Sequence, residues 1–202
     1  TSMSPHVAFR VLQAANRHDF RVVEDDIFSD LYTEATPRLA ALDQLERVIY
    51  LRSFSKTLSG SLRVGFIACD PATAHDLADT KMVTCITTSQ FSEQLVRHLL
   101  LEGHYRKFLV RLRERLDETR CNVIRSFEKI GLRTFCDPGA GMFLWARFDD
   151  VEDSLALAED AMKQNLLLAP GTVFRPQLQP SPWMRFNIAV CDEPDVMRGL
   201  AS

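Results

Sequence analysis

The sequence predicts an α/β fold with a mainly parallel sheet, followed by a smaller α+β layer. Two observations support this prediction. Over the first half of the chain, apolar runs of strand length alternate with segments of helical periodicity, which favours α/β layering. After Gly131 the pattern changes to short strands and short helices. A long helical segment lies between the two parts and is predicted to connect them.

Capping residues and apolar runs mark the elements of the first part. Ser4 followed by Pro5 predicts the start of a helix, and Asp70 followed by Pro71 predicts another. Residues 90–101 continue the helical periodicity. Three strands with buried apolar residues are predicted, and the first ends abruptly in acidic residues. These strands are Phe20–Asp26, Arg47–Phe54 and Leu62–Cys69.

The segment His104–Ile130 predicts one long helix. Its apolar residues form a single stripe, and the dense arginine and glutamate between them predict a solvated face. Gly131 then ends the helix in the position that favours a left-handed residue. We place the domain boundary near Gly103, which gives a first domain of residues 1–103. Residues 104–202 then comprise the long helix and a small α+β domain.

Composition excludes several classes of function. The chain has 202 residues and a formal net charge of −3, so it lacks the basic character of a nucleic-acid-binding surface. No apolar run is long enough to cross a bilayer. The five cysteines are scattered without zinc-ligand spacing, and we expect no metal site. A cytoplasmic location is the expectation.

Reactive side chains follow two of the predicted strands. Asp25 and Asp26 end the first strand, and Lys56 follows the second within the stretch SFSKTLSGSLRVGF. Ligands of open α/β sheets bind at the carboxyl ends of strands. A simple ion pair between an aspartate and the lysine is the plainer interpretation. However, the stretch also contains clustered hydroxyl side chains and Arg63, whose guanidinium suits a phosphate. An amine, an anion clamp and a carboxylate are what pyridoxal phosphate requires.

This stretch resembles the cofactor-lysine motif of the class I/II aminotransferases, the fold-type-I enzymes that depend on pyridoxal phosphate. The resemblance implies that Lys56 forms the Schiff base, and that Ser53, Ser55 and Arg63 bind the phosphate. In VVEDDIFSDLY, Asp25 matches the aspartate that pairs with the pyridine nitrogen. Phe28 stands where the family usually has a tyrosine, and it cannot supply that tyrosine's hydroxyl.

Three later segments also resemble the family, in family order: GAGMFLW, LLLAPGTVF and WMRFNIAV. In the last of these, Arg185 matches the arginine that binds the substrate α-carboxylate. A plainer interpretation of Arg185 is a surface residue at a strand end. The resemblance therefore implies a fold-type-I fragment in which residues 1–103 are the second half of the cofactor-binding large domain.

Two functions of different class fit this resemblance. The segments EDDIFSDLY and LLLEGHYRKFLVRLRERL look more like MocR-type regulators, in which a GntR-type winged-helix module precedes an aminotransferase-like domain. Such a domain would sense an amino acid or amine through an aldimine on Lys56. The alternative is a catalytic aminotransferase that transfers an amino group between an amino acid and a 2-oxo acid.

The resemblance also sets expectations about cofactor and partners. The family's first half, which completes the cofactor pocket, is not in this sequence. We therefore expect pyridoxal 5'-phosphate to bind the full-length protein, and this fragment weakly or not at all. The fragment alone is expected to lack transaminase activity. DNA would be contacted only through a missing N-terminal module, and the full-length protein is expected to be a homodimer.

Overall fold

A computed structural model describes residues 3–33, 37–191 and 193–201. The chain forms two compact units, Thr1–Val110 and Arg111–Ser202. The sequence-based boundary at Gly103 lies before the long helix, whereas the division between the compact units lies within it. The assignment of residues 1–103 to a cofactor-binding domain stays a prediction. In the part of the chain that the structure describes, no helix is both long and apolar enough to span a membrane.

Among its described residues, the first unit contains four helices, three strands and the beginning of a fifth helix. In chain order they are α1 (Pro5–His18), β1 (Val22–Asp25), α2 (Leu39–Asp43), β2 (Val48–Ser53), β3 (Gly65–Ala68), α3 (Pro71–Cys85), α4 (Gln90–Leu101) and α5 (His104–Lys129). Short 3₁₀ turns at Ser29–Leu31 and Gly60–Leu62 interrupt the connections that follow β1 and β2.

The predicted helix starts are confirmed by their capping geometry. The side chain of Ser4 accepts a hydrogen bond from the backbone N–H of Val7 at 3.3 Å, and Pro5 opens α1. Asp70 caps α3 in the same way and accepts from the N–H of Thr73 at 3.0 Å. Each cap satisfies a backbone donor that has no partner within the helix.

The first sheet has the strand order β1-β2-β3. β1 and β2 are parallel, and Asp25 is paired with Leu51 in their register. β3 runs antiparallel to β2, so the sheet is mixed. The connection from β2 to β3 contains a single short 3₁₀ turn, and a parallel arrangement would need a longer crossover.

The core of the first unit lies on one side of its sheet. Ala8 of α1, Leu39 of α2 and Val48 of β2 are at most 3% exposed and form a hydrophobic cluster. On the opposite face of β1, Val23 remains 59% exposed. The prediction that the first strand is buried is therefore wrong for one of its faces.

The second unit contains a four-stranded antiparallel sheet with the order β4-β5-β7-β6. Its elements after α5 are β4 (Leu132–Thr134), β5 (Phe143–Phe148), α6 (Ser154–Lys163), β6 (Ala169–Pro170), β7 (Met184–Asn187), α7 (Ile188–Cys191) and α8 (Pro194–Ala201). A 3₁₀ turn, Gly171–Phe174, follows β6.

The predicted apolar stripe of α5 supplies part of the core of this unit. Val123 and Phe127 of α5 are at most 1% exposed. The Phe127 ring packs edge-on against Phe186 of β7, with centroids 4.9 Å apart. Gly131 ends the helix with a φ of 79°, as the sequence predicts. The helix therefore packs against this unit through its apolar stripe.

Candidate functional site

The carboxyl ends of β1 and β2 lie side by side, as required for their side chains to form one site. The two strands are parallel, and the backbone N–H of Asp26 donates to the carbonyl of Leu51 at 3.0 Å. Asp25 is exposed at the end of β1, and Ser53 ends β2. The tertiary structure thus brings two of the sequence-predicted residues to the same edge of the sheet.

Lys56 lies in a tight turn directly after β2. The carbonyl of Phe54 accepts hydrogen bonds from the N–H groups of Thr57 at 3.3 Å and Leu58 at 2.8 Å. These bonds close one helix-like turn around Lys56. The lysine side chain is exposed, and among the described residues it forms no ion pair. The simple ion pair with an aspartate is therefore absent from the described part of the chain.

Two serine hydroxyls gather beside this turn. Ser53 Oγ accepts from the backbone N–H of Ser55 at 3.1 Å, and Ser53 Oγ donates to Ser55 Oγ at 3.0 Å. Both residues are half-buried. Ser59 has a different role, since its Oγ caps the 3₁₀ turn by accepting from the N–H of Ser61 at 3.2 Å. The pair Ser53 and Ser55 is therefore the hydroxyl cluster available to a ligand.

Arg63 is held in an unusual backbone conformation between the 3₁₀ turn and β3. Its φ of 54° and ψ of 36° are left-handed, a region that costs a residue with a side chain about 1–2 kcal/mol. The guanidinium is exposed, and its Nη1 donates to the carbonyl of Gly60 at 3.5 Å. Strain of this kind is often found at binding sites. The planar fork remains available to an anion.

A polar network that the sequence analysis missed lies behind the turn. Thr57 Oγ1 is 2.9 Å from the hydroxyl of Tyr105, and that hydroxyl donates to Asp30. Arg52 donates to the same carboxylate. Thr57 is only 5% exposed and its hydroxyl contacts Tyr105, so it is not one of the hydroxyls open to a ligand. The alternation of β2 gave no signal for this network, because Tyr105 is distant in sequence.

Asp26 is also paired within the first unit. Its carboxylate accepts from Arg38 Nε at 2.7 Å and from the hydroxyl of Tyr50 at 2.6 Å. Burial, followed by the hydrogen bond to Asp26, raises the pKa of the Tyr50 hydroxyl above its ordinary value. The Asp26 carboxylate is therefore engaged by two side chains of its own unit. Asp25 remains the carboxylate that is open to a ligand.

A cleft of about 660 Å³ opens between the sheet and α3. Asp25 and Ser53 both line it, and Gly65 and Lys81 lie on other sides. Phe28 is half-buried next to the 3₁₀ turn that follows β1 and lines a different cleft, which it shares with Asp25. Lys56 and Arg63 do not line either cleft. The structure thus places Asp25 at the junction of two openings.

Arg185 belongs to the second unit, where aromatic rings hold its guanidinium. The guanidinium carbon lies 4.5 Å from the ring centroid of Phe143 and 4.7 Å from that of Phe174. Met184 and Phe186, its neighbours on β7, are buried, whereas Arg185 itself is exposed. No described carboxylate pairs with it. Arg185 therefore lies on the exposed face of β7 against two aromatic rings, and its role in binding a carboxylate stays a prediction.

The donor set of the first unit fits pyridoxal phosphate chemically. An exposed amine on Lys56, two adjoining hydroxyls and the guanidinium of Arg63 lie along one segment of chain. A carboxylate at the end of the neighbouring parallel strand complements them. A phosphate requires such donors, and a pyridine nitrogen requires such a carboxylate.

Comparison with known proteins gives consistent matches. The family model described as aminotransferase class I and II matches residues 8–202. The HTH-type transcriptional regulator NorG of Staphylococcus aureus is 30% identical over 169 residues, covering 81% of this chain and 38% of NorG. Aromatic-amino-acid aminotransferase 1 of Thermococcus litoralis is 28% identical over 196 residues, covering 95% of this chain and 47% of that enzyme.

Solved structures give a similar result. The crystal structure of Pyrococcus horikoshii kynurenine aminotransferase superposes with a TM-score of 0.86 at 29% identity. The match covers 98% of this chain and 50% of that one. The chain therefore spans half or less of the length of these three relatives.

Proposed function

Because the chain belongs to the aminotransferase class I and II family and has its fold-type-I architecture, we propose that it is part of a pyridoxal-phosphate-binding effector domain. In this proposal the domain belongs to a MocR/GntR-type transcriptional regulator in the cytoplasm. It senses an amino acid or amine through covalent chemistry at Lys56.

The observation that carries the proposal is the pairing of β1 with β2. Their parallel register sets the exposed carboxylate of Asp25 beside the strand that ends in Ser53 and leads into the Lys56 turn. Ligands of open α/β sheets bind at such carboxyl ends. Lys56 is exposed and forms no ion pair with a described residue, so its amine is accessible to a carbonyl group.

Each residue has a role that follows from its chemistry. The amine of Lys56 binds the cofactor covalently, while the hydroxyls of Ser53 and Ser55 and the guanidinium of Arg63 hold its phosphate. Asp25 keeps a proton on the pyridine nitrogen. When bound, pyridoxal phosphate supplies an electron sink for bonds at the Cα of an amino acid.

Two further residues concern the amino-acid ligand. Arg185 presents its guanidinium edge to the ligand carboxylate, while the rings of Phe143 and Phe174 hold its orientation. Phe28 provides no hydroxyl at the position where the family usually has a tyrosine. The absence of this hydroxyl favours ligand binding over efficient turnover, which supports the sensing function.

The regulator assignment has separate support. NorG, at 30% identity, is named as an HTH-type transcriptional regulator. The acidic balance of this chain is compatible with that assignment, because a separate N-terminal module would contact DNA. We further propose that the full-length protein is a homodimer, as the family resemblance implies.

A catalytic aminotransferase is the second candidate. The match to aromatic-amino-acid aminotransferase 1 covers 95% of this chain and supports it. In that function Lys56, once released by the amino acid, carries the proton from the substrate Cα as general base and then as general acid. The amino group would pass to a 2-oxo acid.

The test uses the full-length protein. Titration with pyridoxal phosphate, reduction with borohydride and peptide mapping should place a covalent adduct on Lys56, and Lys56→Ala should abolish it. An adduct on another lysine would contradict the site. A panel of amino acids then separates the candidates, since release of a keto acid indicates an enzyme and binding without release indicates a sensor.

A second test compares cofactor binding by residues 1–202 with cofactor binding by the full-length protein. We expect residues 1–202 alone to bind pyridoxal phosphate weakly or not at all, because the match covers half or less of each of the three relatives. A stable adduct on Lys56 in this fragment would show that the rest of the pocket is dispensable.

A further inference from the structure

Two members of the polar network behind the Lys56 turn are buried and two are half-buried. Tyr105 and Thr57 are 6% and 5% exposed. The side chains of Arg52 and Asp30 are 22% and 14% exposed. Burial of polar groups is costly unless each finds a partner. The four residues of the network are distinct from those proposed to bind the cofactor.

The direction of its hydrogen bonds follows from the number of available hydrogens. The hydroxyl of Tyr105 donates its one hydrogen to Asp30 Oδ2, the oxygen that also accepts from Arg52 Nη2. Tyr105 can therefore only accept from Thr57, whose Oγ1 lies 2.9 Å away. The chain of donors runs from Thr57 through Tyr105 to Asp30. In this order the hydroxyl hydrogens of Thr57 and Tyr105 each have an acceptor.

Residues on both sides of Lys56 in the sequence contact Tyr105. Thr57 directly follows Lys56 in sequence and bonds to the Tyr105 hydroxyl. On the other flank, the Phe54 ring packs edge-on against the Tyr105 ring, with centroids 5.6 Å apart. Phe54 also supplies the carbonyl that closes the turn by accepting from Thr57 and Leu58. A single side chain from the start of α5 thus contacts the turn on both sides of the exposed lysine.

We propose that Tyr105 is a positioning residue that, through Thr57 and the Asp30–Arg52 pair, holds the Lys56 turn in one conformation. A turn fixed in advance presents the lysine amine without an ordering cost at the moment of binding. The use of that amine rests on the proposed function. The ordering of the turn, in contrast, is a property of the chain with or without a ligand.

The test compares variants of the full-length protein that remove single hydroxyls. Thr57→Val removes the link from Thr57 to Tyr105, and Tyr105→Phe removes that link together with the bond to Asp30. Both variants keep the side-chain shape, while Thr57→Ser keeps the hydroxyl. Tyr50→Phe is the matched control, because it removes a tyrosine hydroxyl bonded to an aspartate, Asp26, that does not support this turn.

Two readouts are needed. The first is hydrogen exchange of the backbone amides of Thr57 and Leu58 without cofactor, measured relative to amides of the β1–β2 pair. The second is the apparent affinity for pyridoxal phosphate, with the borohydride-trapped adduct mapped to Lys56. We expect Tyr105→Phe and Thr57→Val each to speed the exchange and weaken the affinity about tenfold. Adding Thr57→Val to Tyr105→Phe should change little, since Tyr105→Phe already removes the link to Thr57. Thr57→Ser and Tyr50→Phe should behave like the wild type in both readouts.

The outcomes separate this inference from the proposed function. Wild-type exchange and affinity in Tyr105→Phe would overturn the inference while leaving Lys56 as the cofactor lysine. Equal losses in Thr57→Ser and Thr57→Val would also overturn it, because the hydroxyl would then be irrelevant. If the wild type forms no adduct on Lys56, the proposed function fails. In that case, faster exchange in Tyr105→Phe alone would still support the ordering of the turn by Tyr105.

Discussion

Gly65 lies directly opposite Ser53 in the antiparallel pairing of β2 with β3. A Cβ added to Gly65 would approach the carbonyl oxygen of Arg52 to 2.6 Å, closer than real Cβ atoms come. The glycine is therefore required by the proximity of the two backbones. This close approach fixes the position from which the Ser53 hydroxyl projects.

Replacing Gly65 should reduce stability. We expect Gly65→Ala to lower the free energy of unfolding by about 1–3 kcal/mol, because the strands must move apart to admit the methyl group. Denaturant unfolding would measure the change. Gly60→Ala is the matched control, since a Cβ there meets nothing within 4 Å. Equal effects at both glycines would contradict the steric explanation.

Replacing Arg63 should weaken anion binding while changing stability little. Arg63→Gly relieves a left-handed conformation but increases the freedom of the unfolded chain, so the free energy of unfolding should change by less than about 1 kcal/mol. The affinity of the full-length protein for pyridoxal phosphate should fall about tenfold or more, because a charge-assisted hydrogen bond to phosphate is lost. Arg63→Lys keeps the charge and should retain part of the affinity. Unchanged affinity in Arg63→Gly would remove Arg63 from the phosphate site.

Arg185 is predicted to affect the affinity for amino acids and not the affinity for pyridoxal phosphate. In the full-length protein, Arg185→Ala should weaken binding of amino acids about tenfold to a hundredfold, because the carboxylate loses a charged partner. The affinity for pyridoxal phosphate itself should remain at the wild-type value. Titration with amino acids and with amines that lack a carboxylate would measure this. A similar loss for both ligand types would mean that Arg185 does not contact the carboxylate.

Tyr105 should contribute to the loss of stability at high pH. Burial, followed by the hydrogen bond to Asp30, raises the pKa of Tyr105 from 10.0 to about 12. The folded protein thus retains this proton where the unfolded chain releases it. The contribution to stability is complete below pH about 10 and is lost as the pH rises through about 12. Tyr105→Phe should flatten this part of the unfolding profile. An unchanged profile would assign the dependence to other groups.

Cys191 should react more slowly with thiol reagents than Cys121. Burial raises the pKa of the Cys191 thiol to about 11, whereas Cys121 is exposed. Both a low thiolate fraction and restricted access slow the reaction of a cysteine. Timed alkylation with peptide mapping at neutral pH would measure the two rates, and alkylation in denaturant provides the control. Modification of Cys191 at the rate of Cys121 would indicate an opening near α7.

Local chemistry made much of the fold predictable. Ser4 with Pro5 and Asp70 with Pro71 marked helix starts because the capping interaction is contained within four residues. The end of α5 at Gly131 was predictable for the same reason, since the left-handed conformation favours glycine.

Contacts between distant segments were not predictable in this way. The pairing of Asp26 with Tyr50 and Arg38 was missed, as was the antiparallel direction of β3. The exposure of Val23 was also missed, because an apolar run does not reveal which of its faces is covered.

For the candidate site, the sequence by itself determined the reactive groups and their order: a carboxylate after one strand, then hydroxyls, an amine and a guanidinium after the next. Only the tertiary structure decided that the two strands are parallel neighbours, which brings Asp25 to the edge from which Ser53 and Lys56 follow. It also decided that Thr57 faces Tyr105 rather than a ligand. The physical reason is that residue types fix chemistry locally, whereas burial and proximity depend on which distant segments pack together.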